Sequence, residues 1–370
     1  MTNNSEHVAR IIIGKQLRKA RELLQLAPQE VASELNISAQ DILDWENVKS
    51  QPNVGLLERL ADLYGREIDY FLKETPALPE KIEFRGKPGQ SLKELPKAAK
   101  IVLSRFDELC RTALEIEKLL GKKREIKLSC FKESESPEAV ANSLRKTFNA
   151  FDKPIPELRI SSEHEGVRIF ELPVLEDAFS GFSYWHPDYG PCILLNAAEL
   201  KGRKNFTLAH EIAHLLYKHG SSLCYIPLEF REPFGGLENK ANQVAVALLL
   251  PKSGVIEDFR KRNLSIRPSE KDLILMASKW GVSVQALGYR LENLGLIEKG
   301  VTDKFVESRP KHLRRPKTPS WERQLGKGFV GTAFEAFQKG LITSGKLADS
   351  LGITIREALK EIELRRKKKS

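Results

Sequence analysis

The stretch Thr207-Leu208-Ala209-His210-Glu211-Ile212-Ala213-His214-Leu215-Leu216 constrains this chain more than any other. With Phe206 ahead of it, it puts apolar side chains on every side of a helix, so that helix must be buried. Two imidazoles and a carboxylate inside a buried helix are costly unless a partner receives them. Histidines at i and i+4 share a face and stand close enough to hold one metal ion, while the residue type between them, Glu211, suits a base aimed at water on that ion. The spacing predicts His210 and His214 as metal ligands and Glu211 as the catalytic carboxylate.

A third ligand is needed, and two are open. A metzincin pattern requires Gly seven and His ten residues after His210, and these places hold Tyr217 and Gly220. His219 lies one place short of the second. Glu238 stands at the upstream end of a helix whose stripe is Ala241, Val244, Ala245, Leu248 and Leu249; a cation would receive its carboxylate, although a helix start favours an acid in any case. Residues 192–196 read as a strand, expected to offer an edge to an extended substrate. Tyr217, Tyr225 and His219 are the nearby groups that could assist an oxyanion.

The 370 residues exceed one ordinary core and divide into residues 8–75, a compact helical unit; 76–125, a Pro-punctuated linker and a helix; 126–300, mixed helices and short strands; and 301–370, a basic linker and a helical end. The expected class is multidomain, mostly α with a small β-sheet. No run approaches the roughly 20 apolar residues of a membrane span. Four well-separated cysteines and the absence of a secretion signal fit a cytoplasmic protein. The net charge of +10 is uneven: residues 1–75 carry 9 Lys/Arg against 12 Asp/Glu, and residues 301–370 carry 17 against 8. The closing Arg365-Arg366-Lys367-Lys368-Lys369 reads as a solvated tail. No internal repeat is evident.

Within the first unit, Val31-Ala32-x-x-Leu35-Asn36-Ile37-Ser38 joins two short helices by a tight turn, the arrangement in which a second helix enters the major groove. With Gly14-x-x-Leu17-Arg18-x-Ala20-Arg21, Trp45-Glu46, Pro52 and Leu60-Ala61-x-x-Tyr64, it resembles the lambda-repressor-like (XRE) DNA-binding domain. The resemblance implies that Gln29, Ser38, Ala39, Gln40 and Asp44 face double-stranded DNA. Ala27 departs from the usual hydroxyl cap, and Val48 from the usual glycine.

The stretch from about 136 to 296 resembles the ImmA/IrrE-type metallopeptidases. It does so in Ser136-Pro137-Glu138 through Arg145, in Ile193-Leu194-Leu195-Asn196, in Arg203-x-x-Phe206-Thr207-Leu208-Ala209-His210-Glu211, in Glu238-x-x-Ala241-Asn242-x-x-Ala245-x-x-Leu248-Leu249-x-Pro251 and in Val282-Ser283-x-x-Ala286-x-x-x-Arg290-Leu291. The resemblance implies an α+β, gluzincin-like peptidase domain with zinc on His210, His214 and Glu238 and Glu211 as base. It also implies a protein substrate of the repressor or antitoxin type. The contrasting expectation is an XRE-type regulator that cuts nothing and keeps a structural or sensory metal site.

Overall fold

A computed structural model describes residues 2–72, 83–85, 95–174, 178–218, 222–224, 236–308 and 318–367. The first unit contains α1 (Thr2–Leu23), α2 (Pro28–Leu35), α3 (Ala39–Glu46), α4 (Val54–Tyr64) and α5 (Ile68–Leu72). Its core of Leu17, Ala20, Leu24, Val31, Ala32, Leu35, Ile42, Leu60 and Tyr64 is the stripe that the helical spacing outlines. Asn36 turns the chain between α2 and α3 at φ +55°, and the Ser38 hydroxyl caps α3 by accepting from the Asp41 amide. Ala27 has no hydroxyl to cap α2; instead Glu30 reaches back to accept from the Ala27 amide at 2.6 Å. Val48 adopts φ +65°, a left-handed conformation that a β-branched residue resists.

Beyond this unit come β1 (Glu83–Arg85), α6 (Lys97–Leu119), α7 (Pro137–Thr147), α8 (Leu158–His164), β2 (Arg168–Leu172), β3 (Gly181–His186), β4 (Gly190–Asn196), α9 (Lys201–Tyr217), β5 (Ser222–Cys224), α10 (Gly236–Leu249), α11 (Lys252–Lys261), α12 (Glu270–Trp280), α13 (Val284–Asn293) and α14 (Val301–Ser308). The chain closes with α15 (Trp321–Leu325), α16 (Lys327–Gln338), α17 (Ser344–Leu351) and α18 (Ile355–Lys367). The strands form one sheet in the order β1-β5-β3-β4-β2, with β3 antiparallel to β4 and β5, β2 parallel to β4, and β1 parallel to β5.

The sheet has an interior on both faces. Ile169, Ile193 and Leu195 join the core made by α7, α9, α10, α12 and α13. Their neighbours Phe170, Phe182, Tyr184, Cys192 and Leu194 point the other way, into a core shared with Leu103, Phe106 and Cys110 of α6 and with Phe329, Phe334, Leu347, Leu351 and Ile362 of the carboxy-terminal helices. The carboxy-terminal region therefore covers the second face of the sheet together with α6.

Strand β4 is not an edge, contrary to the expectation for residues 192–196. Both its sides are taken, by β2 and β3, and it is buried along its whole length. A run of apolar residues without polar alternation belongs in a sheet interior, and that physical reason overrides the edge assignment.

Arg145 stitches α7 to α10. Its side chain, 1% exposed, donates to the carbonyls of Phe151, Lys153 and Leu248, the last near the end of α10. Arg145→Ala would leave three buried carbonyls unmatched and is expected to cost about 3 kcal/mol or more of stability, read from chemical denaturation of the full chain.

Candidate metal centre

Helix α9 runs between the sheet and α10 and is buried continuously from Phe206 to Tyr217. Its i, i+4 spacing turns His210 and His214 to the same side, toward Glu238 in the first turns of α10. The Nε2 atoms of the two histidines are 2.9 Å apart. Glu238 bridges them, with Oε2 3.1 Å from His210 Nε2 and Oε1 3.2 Å from His214 Nε2. These three side chains are the one group among the described residues whose donors converge for a metal ion. The histidines are 1% exposed and Glu238 9%.

The donor set fits a zinc ion. Ligands at about 2.0–2.1 Å in a tetrahedron lie roughly 3.3 Å from one another, close to the separations found here. Two buried imidazole nitrogens also face each other across 2.9 Å, an arrangement that needs a proton or a cation between them. His210 is already turned for the role: its Nδ1 lies 2.9 Å from Asn242 Oδ1, so the N–H sits on Nδ1 and the Nε2 lone pair faces the cluster. Asn242 stands one helical turn after Glu238, and that i, i+4 relation was the available sequence signal for a role not assigned to it.

Glu211 is wholly buried and is not one of the three converging donors. The Ser183 hydroxyl, on β3, donates to its Oε2. Its Oε1 lies over Gly181, where an added Cβ would come within 2.8 Å of that oxygen and 2.6 Å of Thr207 Cγ2. Strand β3 approaches α9 this closely because Gly181 has no side chain. At the start of α9, Arg203 pairs with Glu199 at 2.8 Å and donates to Ser180 Oγ at 3.2 Å, joining the helix to the residue before β3. Ser180 and Ser183 meet α9 only through the fold, so no local pattern marks them, whereas Glu199 stands four residues before Arg203.

Burial disfavours a charge on His210, but the Glu238 carboxylate outweighs it and raises the imidazole above its ordinary value of 6.5. Burial likewise opposes charge on Glu238, and the two imidazoles reverse that, holding the carboxyl well below the usual carboxylate range. Tyr217 is otherwise engaged: its hydroxyl donates to the Glu135 carbonyl at 3.2 Å, and Lys240 lies over its ring. His219 and Tyr225 lie outside the described residues.

The proposed DNA-facing residues divide. Gln29 on α2 and Gln40 on α3 are exposed, and Gln40 donates to Asp44 Oδ1 at 2.8 Å. Ser38 is occupied as the cap of α3, and Ala39 packs partly against the unit's own core.

Two family models match the chain. Residues 162–292 match the Peptidase_M78 model, the IrrE N-terminal-like domain, and residues 15–71 match a helix-turn-helix model. A helix-turn-helix unit thus precedes a domain of a peptidase family, in the order that the motifs implied. No curated protein gives a significant match. Among the described residues no helix is long and apolar enough to cross a membrane.

Metal uptake must displace the proton that Glu238 favours on His210. The raised imidazole keeps that proton to a higher pH than an ordinary histidine would. The apparent affinity for zinc is therefore expected to be constant at high pH and to fall once the pH drops through a range above 6.5, in competition titrations against a zinc indicator.

Proposed function

We propose that the chain is a zinc-dependent endopeptidase that cleaves a regulatory protein of the repressor or antitoxin type, carrying a helix-turn-helix unit that binds DNA or a protein partner. The observation that carries this reading is the division of labour in the buried set. Three side chains supply donors, and a further buried carboxylate, Glu211, follows His210 on the same helix, near enough for its charge to raise that imidazole, without being one of the three. A purely structural zinc site is closed by four protein ligands and has no need of such a carboxylate. The match of residues 162–292 to a peptidase family supports the same reading.

When bound, zinc supplies Lewis acidity, lowering the pKa of a water molecule toward neutrality and polarising a peptide carbonyl. The chain's own residues do the rest. Asn242 fixes the His210 ring so that Nε2, not N–H, faces the cluster. Ser183 donates to one oxygen of Glu211, which orients the carboxylate to take a proton from the attacking water. The same carboxylate returns that proton to the departing amine. Burial of the cluster under α10 and the sheet strengthens each of these interactions by excluding water.

Co-expression with XRE-type repressors encoded nearby tests the proposal. Wild type is expected to release a repressor fragment, whereas Glu211→Gln should lower cleavage by at least about 10³-fold while retaining stoichiometric zinc. Cleavage unchanged in Glu211→Gln would overturn the assignment. An intact repressor with wild type, together with a regulatory output lost only in His210→Ala, would favour the non-proteolytic regulator. Gly181→Ala should retain zinc yet lower turnover, because the new methyl displaces Glu211 or Thr207.

A further inference from the structure

The turn that makes α2 and α3 a helix-turn-helix joins three helix pairs among the described residues. Val31-Ala32-x-x-Leu35-Asn36-Ile37-Ser38 joins α2 to α3; Met276-Ala277-x-x-Trp280-Gly281-Val282-Ser283 joins α12 to α13; and Leu347-Ala348-x-x-Leu351-Gly352-Ile353-Thr354 joins α17 to α18. Each carries a buried apolar residue, a buried alanine and a second buried apolar residue, then a left-handed residue, at φ +55°, +66° and +62°. The backbone hydrogen bonds are the same in all three: Asn36 to Ser33 and Ile37 to Ala32, Gly281 to Ser278 and Val282 to Ala277, Gly352 to Asp349 and Ile353 to Ala348. A hydroxyl then caps the second helix in each case. Ser38 exchanges reciprocal bonds with Asp41, as Thr354 does with Glu357, and Ser283 accepts from the Ala286 amide. The same turn also closes α4 at Gly65, but Arg66 and Glu67 follow it, so the turn alone does not make such a pair. The sequence thus holds a recurring unit that its dissimilar flanks conceal.

What differs is what each second helix presents. The α13 helix is covered: Ala286, Leu287 and Leu291 are buried, Gly288 abuts Thr302, and Arg290 donates to the Leu250 carbonyl. The α3 helix is open but acidic, since it presents Asp41 and Asp44 and no lysine or arginine, its third carboxylate, Glu46, being buried against Arg21. The α18 helix is open and basic. Only Ala358 and Ile362 are buried, with Arg365 held over the Phe334 ring and paired to Glu322. Ile355, Arg356, Leu359, Lys360, Glu363, Arg366 and Lys367 form one exposed arc, with exposed Leu364 and Glu357 beside it, so the open surface carries four cations against two carboxylates. At the two positions where α3 offers Gln40 and Asp44, α18 offers Arg356 and Lys360. The basic run read as a solvated tail is, through Lys367, the last turns of an anchored helix.

We propose that the exposed arc of α18 is a second contact surface for double-stranded DNA, its cations Arg356, Lys360, Arg366 and Lys367 meeting the phosphates that line the groove. Helix-turn-helix geometry places the second helix where its first turns meet base edges, and the charge matches a polyanion. The inference does not depend on the peptidase reading, nor on α3 binding DNA.

Fluorescence anisotropy of the full chain with a labelled, mixed-sequence duplex tests it across a range of salt. Arg356→Glu/Lys360→Glu is expected to weaken binding at least about tenfold and to lower the slope of log affinity against log salt by about 2. Arg356→Lys/Lys360→Arg should keep the wild-type slope, and Gln29→Ala/Gln40→Ala should stay within about twofold of wild type. An unchanged thermal melt in the charge-reversed variant assigns its loss to the surface rather than to unfolding. Binding that survives the reversal but is lost in the Gln29/Gln40 variant would overturn the proposal and leave DNA contact to α3. Equal competition by heparin at matched charge, or no duplex binding by wild type, would overturn it as well.

Discussion

Two imidazole nitrogens and a carboxylate meet in a largely buried region, and the surrounding structure is organised to make that arrangement tolerable. His210 and His214 can face Glu238 only if α9 and α10 lie against each other, and those helices are separated in sequence by residues 218–235. Their contact is secured elsewhere. Ala241, Val244, Ala245 and Leu248 pack in the same core as Ala209, Ile212 and Leu216, and Arg145 ties the far end of α10 to α7. On the opposite side of α9, Gly181 allows β3 to come close enough for Ser183 to reach Glu211.

A second set of buried charges fixes the helix-turn-helix unit to the rest of the chain. Arg66, just after α4, pairs with Asp107 of α6 at 2.6 Å, with Glu108 3.5 Å away; Glu108 in turn meets Arg111. The Arg66, Asp107, Glu108 and Arg111 side chains are all at most 6% exposed. Such a network need not be more stabilising than apolar packing, but separating its partners strands charges away from water and is expensive. The Ser104 hydroxyl donates to the Tyr64 carbonyl across the same junction, and Lys346 of α17 reaches Glu67 at 2.7 Å. Helix α6 therefore meets the sheet on one side and the amino-terminal unit on the other.

How much of this was legible depended on whether the contacts were local. The i, i+4 histidines, Glu211 and the stripe of α10 are properties of single helices, and they could be read before any fold was known. The Asn36 turn and its Ser38 cap were legible for the same reason. Asn242 and Glu199 had only an i, i+4 relation, to Glu238 and to Arg203, to announce them, and Ser183, which acts across elements, had none. Residues 192–196 show how a local reading fails: an apolar strand was assigned to an edge, although its lack of polar alternation already pointed to burial on both faces. The second core was illegible for a further reason. It is assembled from α6, the strands and residues 325–362, and no one of those segments contains enough apolar surface to identify its partners.

The three related helix pairs separate what local sequence determines from what the fold determines. A buried alanine, a left-handed residue and a hydroxyl cap are sufficient to specify the turn, and they specify it equally well in all three places. They do not determine whether the following helix is available. Residues such as Thr302 and Leu250, distant in sequence from the turn, occupy the surface of α13 and make it part of the scaffold. On α18 the inward residues are few, so Ala358, Ile362 and the Arg365–Phe334 contact anchor the helix while its cations remain in solvent. Holding those cations on a packed helix costs far less ordering entropy on meeting a partner than recruiting them from an unstructured tail. The position of the positive charge, rather than its total of +10, is thus the quantity that bears on function.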